Sequence, residues 1–431
     1  MKLVIRNGRV ICPSTGYDNV ADVLIENGRI AAVGQNLSSP DAETLDASGL
    51  VVAPGFIDIH VHLREPGFEH AETIESGSRA AAAGGFTTIC CMSNTMPVND
   101  SATVTSYIVE RARRHAVVNV FPIGAITKGS KGEELAAISS MAAAGAVAIS
   151  DDGRPVMNSR VMRRAMETAS ELEIPVIDHC EDLNLSGDGD MHECLDSVRL
   201  GLSGIPSAAE DVMVARDVLL AELTGARYHV AHISTRHAVS IVAYARQRGV
   251  QVTAEATPHH IALHTGLMPD YDSNYRMKPP LRSDRDVDAV VSGLVSGAID
   301  CIATDHAPHA GDDKMQEFEK CPFGIIGLET AVGTALEVLV HSGKLSLNRL
   351  IALFTSEPAR VIGWNDEQSR GALKPGFQGD VTLLDPNRAW TYDVNKSFSK
   401  SRNSPFHEHT FQGGPVATIV GGQVVWRCDG F

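Results

Sequence analysis

Between about residues 53 and 360 the chain alternates between short β-rich runs and longer stretches of helical periodicity. The β-rich runs end near His62, Met92, Ile126, Ser150, His179, His232, Thr257 and Thr304. Most are followed by a helix-like stretch, such as TIESGSRAAAAGG, SRVMRRAMETASELE, AAEDVMVARDVLLAELTG and STRHAVSIVAYARQRG. Eight such units in a row predict an α/β protein built on a (β/α)8 barrel. A doubly wound open sheet is the alternative, but no G-x-G-x-x-G follows an early strand.

The two ends read differently. KLVIRNGRVI and ADVLIENGRIAAVG carry Asn7-Gly8 and Asn27-Gly28 between alternating runs, the signature of type I′ hairpin turns. GDVTLLD and VATIVGGQVVW are strand-like, the second folded around Gly421-Gly422. The expectation is one small β-sandwich domain from residues 1–52 and 361–431, with the barrel over 53–360.

Charge narrows the partners. The formal net charge is −16, and no Lys/Arg-rich stretch offsets it, which disfavours nucleic acid and anionic membranes. The start MKLVIRNGRV lacks a signal-peptide apolar region, no long uncharged apolar stretch follows, and a cytoplasmic protein is expected. The eight cysteines form no C-x-x-C and lie mostly in apolar runs, so reduced, buried thiols are expected. An acidic chain that takes an acidic small molecule needs a local cationic pocket.

The first barrel strand contains that charge. In Gly55–Gly67, GFIDIHVHLREPG, alternation puts Asp58, His60 and His62 on one face and continues to Arg64. One histidine there would read as a satisfied core residue. The other strand ends change the balance: the fourth closes on Asp151-Asp152, the fifth on His179, the sixth on His232 and the eighth on Asp305, with His306 and His309 behind it. Barrel active sites lie at the carboxyl ends of the strands. His60, His62, Asp152, His179, His232 and Asp305 therefore converge where chemistry is expected, a donor set suited to two Zn2+ ions with one carboxylate bridging. Spacing alone does not choose between Asp151 and Asp152. Two ions sharing a water lower its pKa toward about 7 and polarise a carbonyl, and a neighbouring carboxylate can carry the proton. Hydrolysis of an amide-like bond, or its reversal, is the expected chemistry.

PGFIDIHVHLREPG, SNTMP, SDDG, HCED, AHIST, TPHH, PPLR, ATDHAPH, PFGIIGLET, LKPGFQGDVTLLD and SKSRNSPF together resemble the amidohydrolase superfamily, and within it the class I dihydroorotases, over nearly the whole chain. The resemblance implies reversible cyclisation of N-carbamoyl-L-aspartate to L-dihydroorotate in pyrimidine synthesis. It implies that His60 and His62 bind one zinc, that His179 and His232 bind the other, and that Asp152 bridges them. Asp305 completes the first zinc and shuttles the proton. The implied substrate contacts are His62, Leu63, Arg64, Asn94, Lys278, His309, Phe323 and Gly324, with Arg64 gripping the carboxylate. Many relatives bridge their metals with a carbamylated lysine on the fourth strand, but ELAAISSMAAAGAVAISDDG has none, so Asp152 is preferred by analogy. A homodimer is the family expectation, and aspartate transcarbamoylase is a possible partner.

One position departs from the family pattern: Lys278 precedes PPLR where asparagine is common. It is either tolerated variation or a second positive charge for the dianionic substrate. Other residues have plainer readings. Asp58 either orients a histidine ligand or bonds backbone. His259 and His260 are read as structural, His306 and Cys180 as pointing away, and Cys90-Cys91 as packing. TKGSKGEEL at 127–135 is read as a solvated loop, and GDGD at 187–190 lacks the rest of a calcium loop. The rival functions are another cyclic amidohydrolase, of hydantoinase, dihydropyrimidinase or allantoinase type, and a non-catalytic partner of the transcarbamoylase. Arg64 and the missing lysine oppose the first, and the complete ligand set opposes the second.

Overall fold

The computed structural model describes residues 2–364 and 369–431. The chain opens with β1 (Lys2–Cys12), β2 (Tyr17–Glu26), β3 (Arg29–Gly34), β4 (Glu43–Asp46) and β5 (Val51–Pro54). The barrel begins with β6 (Phe56–Val61), β7 (Phe86–Cys91) and β8 (Asn119–Pro122), which pair in parallel. It continues through β9 (Val176–Asp178). A short parallel pair follows, β10 (Met191–His192) and β11 (Gly204–Ile205), outside the barrel wall. Then come β12 (Tyr228–Val230), β13 (Val252–Ala256) and β14 (Cys301–Ile302), again parallel with β9.

Two seams close the ring. Ile149 bridges Gly124 on one side and Val176 on the other, and Val61 pairs with His306. The expected fourth strand AVAIS thus shrinks to Ile149 alone, because the chain leaves the wall at once to deliver Asp151 and Asp152. The surrounding helices start where the sequence supplies caps: Thr73 before Ile74–Ala83, Asn158 before Ser159–Glu171, Thr235 before Arg236–Gln247 and Ser283 before Asp284–Ser296. Ile57, Cys90, Ile177, Ala231 and Cys301 form an apolar cluster with Ala359, Val361 and Ile362 of the helix Ser356–Ile362. This plug floors the barrel and leaves only the opposite end for polar chemistry.

β15 (Val381–Thr391), β16 (Thr410–Val420) and β17 (Gln423–Arg427) complete an eight-stranded sheet in the order β17-β16-β15-β5-β1-β2-β3, with β4 beside β1. The sheet folds over on itself. A Cβ added to Gly422, in the β16–β17 turn, would lie 2.9 Å from Ile25 on β2, so the two ends of the sheet meet. Leu3, Ile5, Val23, Ile25, Val52, Leu383 and Ile419 fill the space between. The sheet carries the first segment to Pro54, where β5 pairs with β15. The fold is a (β/α)8 barrel with a small β-sandwich domain assembled from both ends of the chain.

One turn assignment is corrected. Asn27-Gly28 and Gly421-Gly422 join their strands with positive φ, as expected. Asn7-Gly8 does not turn the chain. It is a bulge inside the continuous strand β1, where the register to β2 slips between Ile5 and Gly8. Asn7, at φ 62°, suits a bulge as well as a turn. A Cβ on Gly8 would come within 2.4 Å of Val52, so glycine is needed there for close approach.

Candidate metal centre and active site

The six expected ligands meet at the carboxyl end of the barrel, and every one is buried. Asp152 sits at the middle. Its Oδ1 lies 3.4 Å from His60 Nε2, 3.6 Å from His179 Nδ1 and 3.3 Å from His232 Nε2. Its Oδ2 lies 3.4 Å from His62 Nε2. Asp305 Oδ1 is 2.9 Å from His62 Nε2 and 3.4 Å from His60 Nε2. Three trios have donor atoms within 4.8 Å of one another: His60–His62–Asp152, Asp152–His179–His232 and His60–His232–Asp305. Asp152 belongs to two of them.

The donor set fits cations. His60 Nε2, which faces Asp152 and Asp305, is buried without any hydrogen-bond partner, although buried polar atoms are nearly always paired. Burial opposes the charge on both central carboxylates. The charge of His60 and the hydrogen bonds of the neighbouring imidazoles nevertheless hold Asp152 well below its ordinary range and Asp305 below its own. A site that keeps carboxylates ionised among imidazoles is built for positive charge.

Geometry sets the paired aspartates apart, with Asp152 among the imidazoles. Asp151 points away, and its Oδ1 accepts from Ile126 N at 2.8 Å and Thr127 N at 3.1 Å, while Oδ2 accepts from the Thr127 hydroxyl. It anchors the start of the 127–135 loop. Asp58 accepts from the backbone of His60 and Thr304 and touches no imidazole, so its backbone alternative holds. β6 slips register between Asp58 and Val61, so simple alternation does not carry through to His60.

Residues further out aim the ligands. Glu255 Oε1 is 2.6 Å from His60 Nδ1, and its Oε2 is 3.1 Å from His229 Nε2. Glu181 Oε2 is 3.0 Å from His179 Nε2, and Asn94 Oδ1 is 2.9 Å from His62 Nδ1. Each partner occupies one ring nitrogen and turns the other toward the centre. Sequence reasoning missed Glu255 and Glu181. A charged residue inside the strand run VTAEA, and the third residue of HCED, were the available signals. His229, Glu255 and Cys301 also have metal-like spacing, but Glu255 is engaged by the two imidazoles. Burial pushes the Cys301 thiol far up, so this trio supports His60.

Arg64 stands beside the centre. Burial lowers its pKa to about 10, against the pull of Asp305 and Asp152, so it remains cationic at neutral pH. Its Nε donates to Pro308 O at 3.1 Å, and its Nη2 lies 3.4 Å from His309 Nε2. His309 Nε2 also lies 2.8 Å from Phe323 O. Burial and the charge of Arg64 push His309 down to about 3, so it is neutral and donates from Nε2. Arg64, His232 and Asp305 all have positive φ, at 60°, 32° and 45°. Non-glycine residues adopt that conformation rarely, and functional sites are where it concentrates.

Two further expected contacts already have partners within the chain. Leu63 is buried in the barrel–helix core, and a Cβ on Gly77 of the helix Ile74–Ala83 would meet its side chain at 2.4 Å. Only its backbone can face a ligand. The Lys278 ammonium is 2.8 Å from Glu181 Oε1 and 5.1 Å from the Phe323 ring centroid, so a carboxylate already balances its charge. His306 turns to Glu72 at 3.2 Å, and Cys180 lies 3.0 Å from the Tyr228 hydroxyl, both as expected. His260 is held by Thr257 and by Pro279 O.

A closed barrel with a candidate metal site of histidines and aspartates at its carboxyl end is the architecture of the amidohydrolases. A Dihydro-orotase-like family model matches residues 49–238. The dihydroorotase of Solibacter usitatus (strain Ellin6076) is 68% identical over 426 residues, 99% of this chain and 98% of that protein. The dihydroorotase of Pelotomaculum thermopropionicum is 52% identical, with 99% of each chain covered. Among solved structures, the L-hydantoinase of Arthrobacter aurescens matches with a TM-score of 0.87 at 26% identity, covering 99% of this chain and 96% of that one. The dihydropyrimidinase of Brevibacillus agri NCHU1002 matches at 0.86 and 25% identity, over 99% and 95%. The chain belongs to the dihydroorotase family. Among the described residues no helix is long and apolar enough to cross a membrane.

Proposed function

We propose that this chain is a dihydroorotase, a cyclic-amide hydrolase that interconverts N-carbamoyl-L-aspartate and L-dihydroorotate. The observation that carries the reading is Asp152 Oδ1, within 3.3–3.6 Å of nitrogens from His60, His179 and His232, with a half-buried cationic Arg64 nearby. His60, His62 and Asp305 would hold one Zn2+, His179 and His232 the other, and Asp152 both. When bound, the ions supply an activated water and polarise the ring carbonyl.

The chain's own residues do the rest. Arg64, Asn94 and His309, with the backbone at Phe323-Gly324, bind and orient the substrate carboxylate. The Asn94 carbonyl is spent on His62 and its amide nitrogen donates to Asp152 O at 3.5 Å, which leaves one N–H for the ligand. Asp305 carries the proton between the attacking water and the ring nitrogen, and returns it in the reverse direction. The division at about residues 52/53 and 360/361, a cytoplasmic location and a homodimer belong to the same reading, as does association with aspartate transcarbamoylase. The reduced cysteines support the location.

The test is ring opening of dihydroorotate by the purified protein, followed by loss of ultraviolet absorbance, with metal content measured on the same sample. Turnover abolished by a chelator and restored by zinc is expected. Stoichiometric zinc with faster turnover of hydantoin or dihydrouracil would move the substrate to another cyclic amide. Neither turnover nor metal would overturn the enzymatic reading.

A further inference from the structure

The motif SKSRNSPF lies between β15 and β16, in the part of the chain that otherwise builds the small β domain, yet it crosses to the active-site end of the barrel. We propose that Asn403, within this strap, is a positioning residue that fixes the substrate-carboxylate clamp. The proposal rests on the reading that Arg64, Asn94, His309 and Phe323-Gly324 hold the carboxylate.

Asn403 is buried, and its side-chain amide is fully used by main-chain groups. Oδ1 accepts from His309 N at 3.2 Å. Nδ2 donates to Ala307 O at 2.9 Å and to Gly324 O at 3.0 Å. The Asn403 carbonyl accepts from Ile326 N at 2.9 Å. Ala307–His309 and Gly324–Ile326 are two separate passes of chain, and they carry His309 and the Phe323-Gly324 backbone. The passes also touch: a Cβ on Gly324, at φ 150°, would come within 2.7 Å of Ala307 O. One amide therefore braces two groups of the clamp, beside the direct backbone bond from Ala307 N to Ile325 O at 2.9 Å.

The same strap reaches the Arg64 side. Ser401 Oγ donates to Ala71 O at 2.8 Å, Lys400 N donates to Glu72 at 3.2 Å, and Ser399 bonds Glu72. Glu72 in turn holds His306, next to Asp305. None of these strap contacts involves a metal-ligand side chain. Loss of Asn403 should therefore loosen carboxylate binding and leave the metal centre intact. Asparagine is suited to the task because it supplies one acceptor site and two donors on a short arm. Removing it strands Ala307 O and His309 N without partners and leaves Gly324 O only the Lys314 ammonium at 3.3 Å.

The experiment compares Asn403→Ala and Arg64→Ala with the unmodified zinc-loaded protein. Steady-state KM and kcat for dihydroorotate are measured beside zinc retention against a competing chelator. Asn403→Ala is expected to raise KM at least tenfold, keep kcat within threefold and retain zinc as the unmodified protein does. Combined with Arg64→Ala, it is expected to add far less than its separate factor, since both act on one clamp. If Arg64→Ala raises KM and Asn403→Ala leaves it within twofold, the proposal is overturned and the clamp stands. If Arg64→Ala leaves KM unchanged, the clamp reading fails and the proposal falls with it. Parallel loss of kcat and zinc at unchanged KM would also overturn it. Should Asn403→Ala fail to fold, Asn403→Asp keeps the acceptor for His309 N and loses both donations. It is expected to raise KM, and an unchanged KM would overturn the proposal.

Discussion

Glu255 Oε1 lies 2.6 Å from His60 Nδ1, at the heart of the barrel, where both residues are fully buried. The same oxygen accepts from the backbone N–H of His232 at 3.3 Å. One carboxylate on β13 thus orients a histidine from the first barrel strand and the backbone of a histidine just past the sixth. Outer carboxylates of this kind govern ring orientation and ligand basicity.

Replacing this carboxylate should therefore weaken metal binding before it affects substrate. Glu255→Gln is expected to lower zinc affinity about 10- to 100-fold, the usual cost of losing an outer-shell partner. Competition against a chelator dye measures it. Zinc affinity equal to that of the unmodified protein would show that His60 needs no such support.

The adjacent aspartates should separate cleanly. Asp152→Asn is expected to reduce zinc content and to lower turnover by more than ~100-fold, beyond the cost of an outer-shell loss. Asp151→Asn should keep its zinc and lose about 1–3 kcal/mol of stability, since Asp151 accepts three hydrogen bonds at the 126–127 turn. Metal analysis and denaturant unfolding of both variants check the contrast, and an exchange of the two phenotypes would reverse the assignment.

Lys278 is held at 2.8 Å from Glu181, so its charge is not free for the substrate. Lys278→Asn is expected to leave the KM for N-carbamoyl-L-aspartate within threefold. A tenfold rise would restore the idea of a second cation for the dianion.

Stability should fall as pH rises through one half-buried acid. Burial pushes Glu329 from 4.5 up to about 7, against hydrogen bonds from Ser397 and the Phe398 backbone. Between these values the folded chain keeps a proton that the unfolded chain has released. Stability therefore declines as pH rises across the window, and the full penalty is present above about 7. Glu329→Gln removes the charge and keeps an acceptor. It is expected to gain about 3 kcal/mol at pH 8 relative to its effect near pH 4. Denaturant unfolding at the two pH values reads the difference, and equal effects at both would refute it.

Much of the architecture was legible in the residue order. Eight β-rich runs alternating with capped helical stretches are local signals, and they specify a barrel because parallel strands joined by helices close in few ways. The convergence of His60, His62, Asp152, His179, His232 and Asp305 was legible for the same reason: the fold places chemistry at strand ends, and these six sit there. Other features depended on three-dimensional proximity. Asn7-Gly8 offers positive φ to a bulge and a turn alike, and only the pairing of β1 with β2 selects the bulge. Asp151 and Asp152 are chemically identical neighbours, and the Ile126–Thr127 backbone claims one of them. Glu255 and Asn403 lie far along the chain from the groups they hold, so no sequence period joins them to the site, whereas Glu181 stands only two residues from His179. A chain's local propensities determine its elements and the order of its strands. Which carboxylate meets which imidazole is decided by barrel closure, where burial makes every unpaired polar group costly and the partner must come from whatever strand lies alongside.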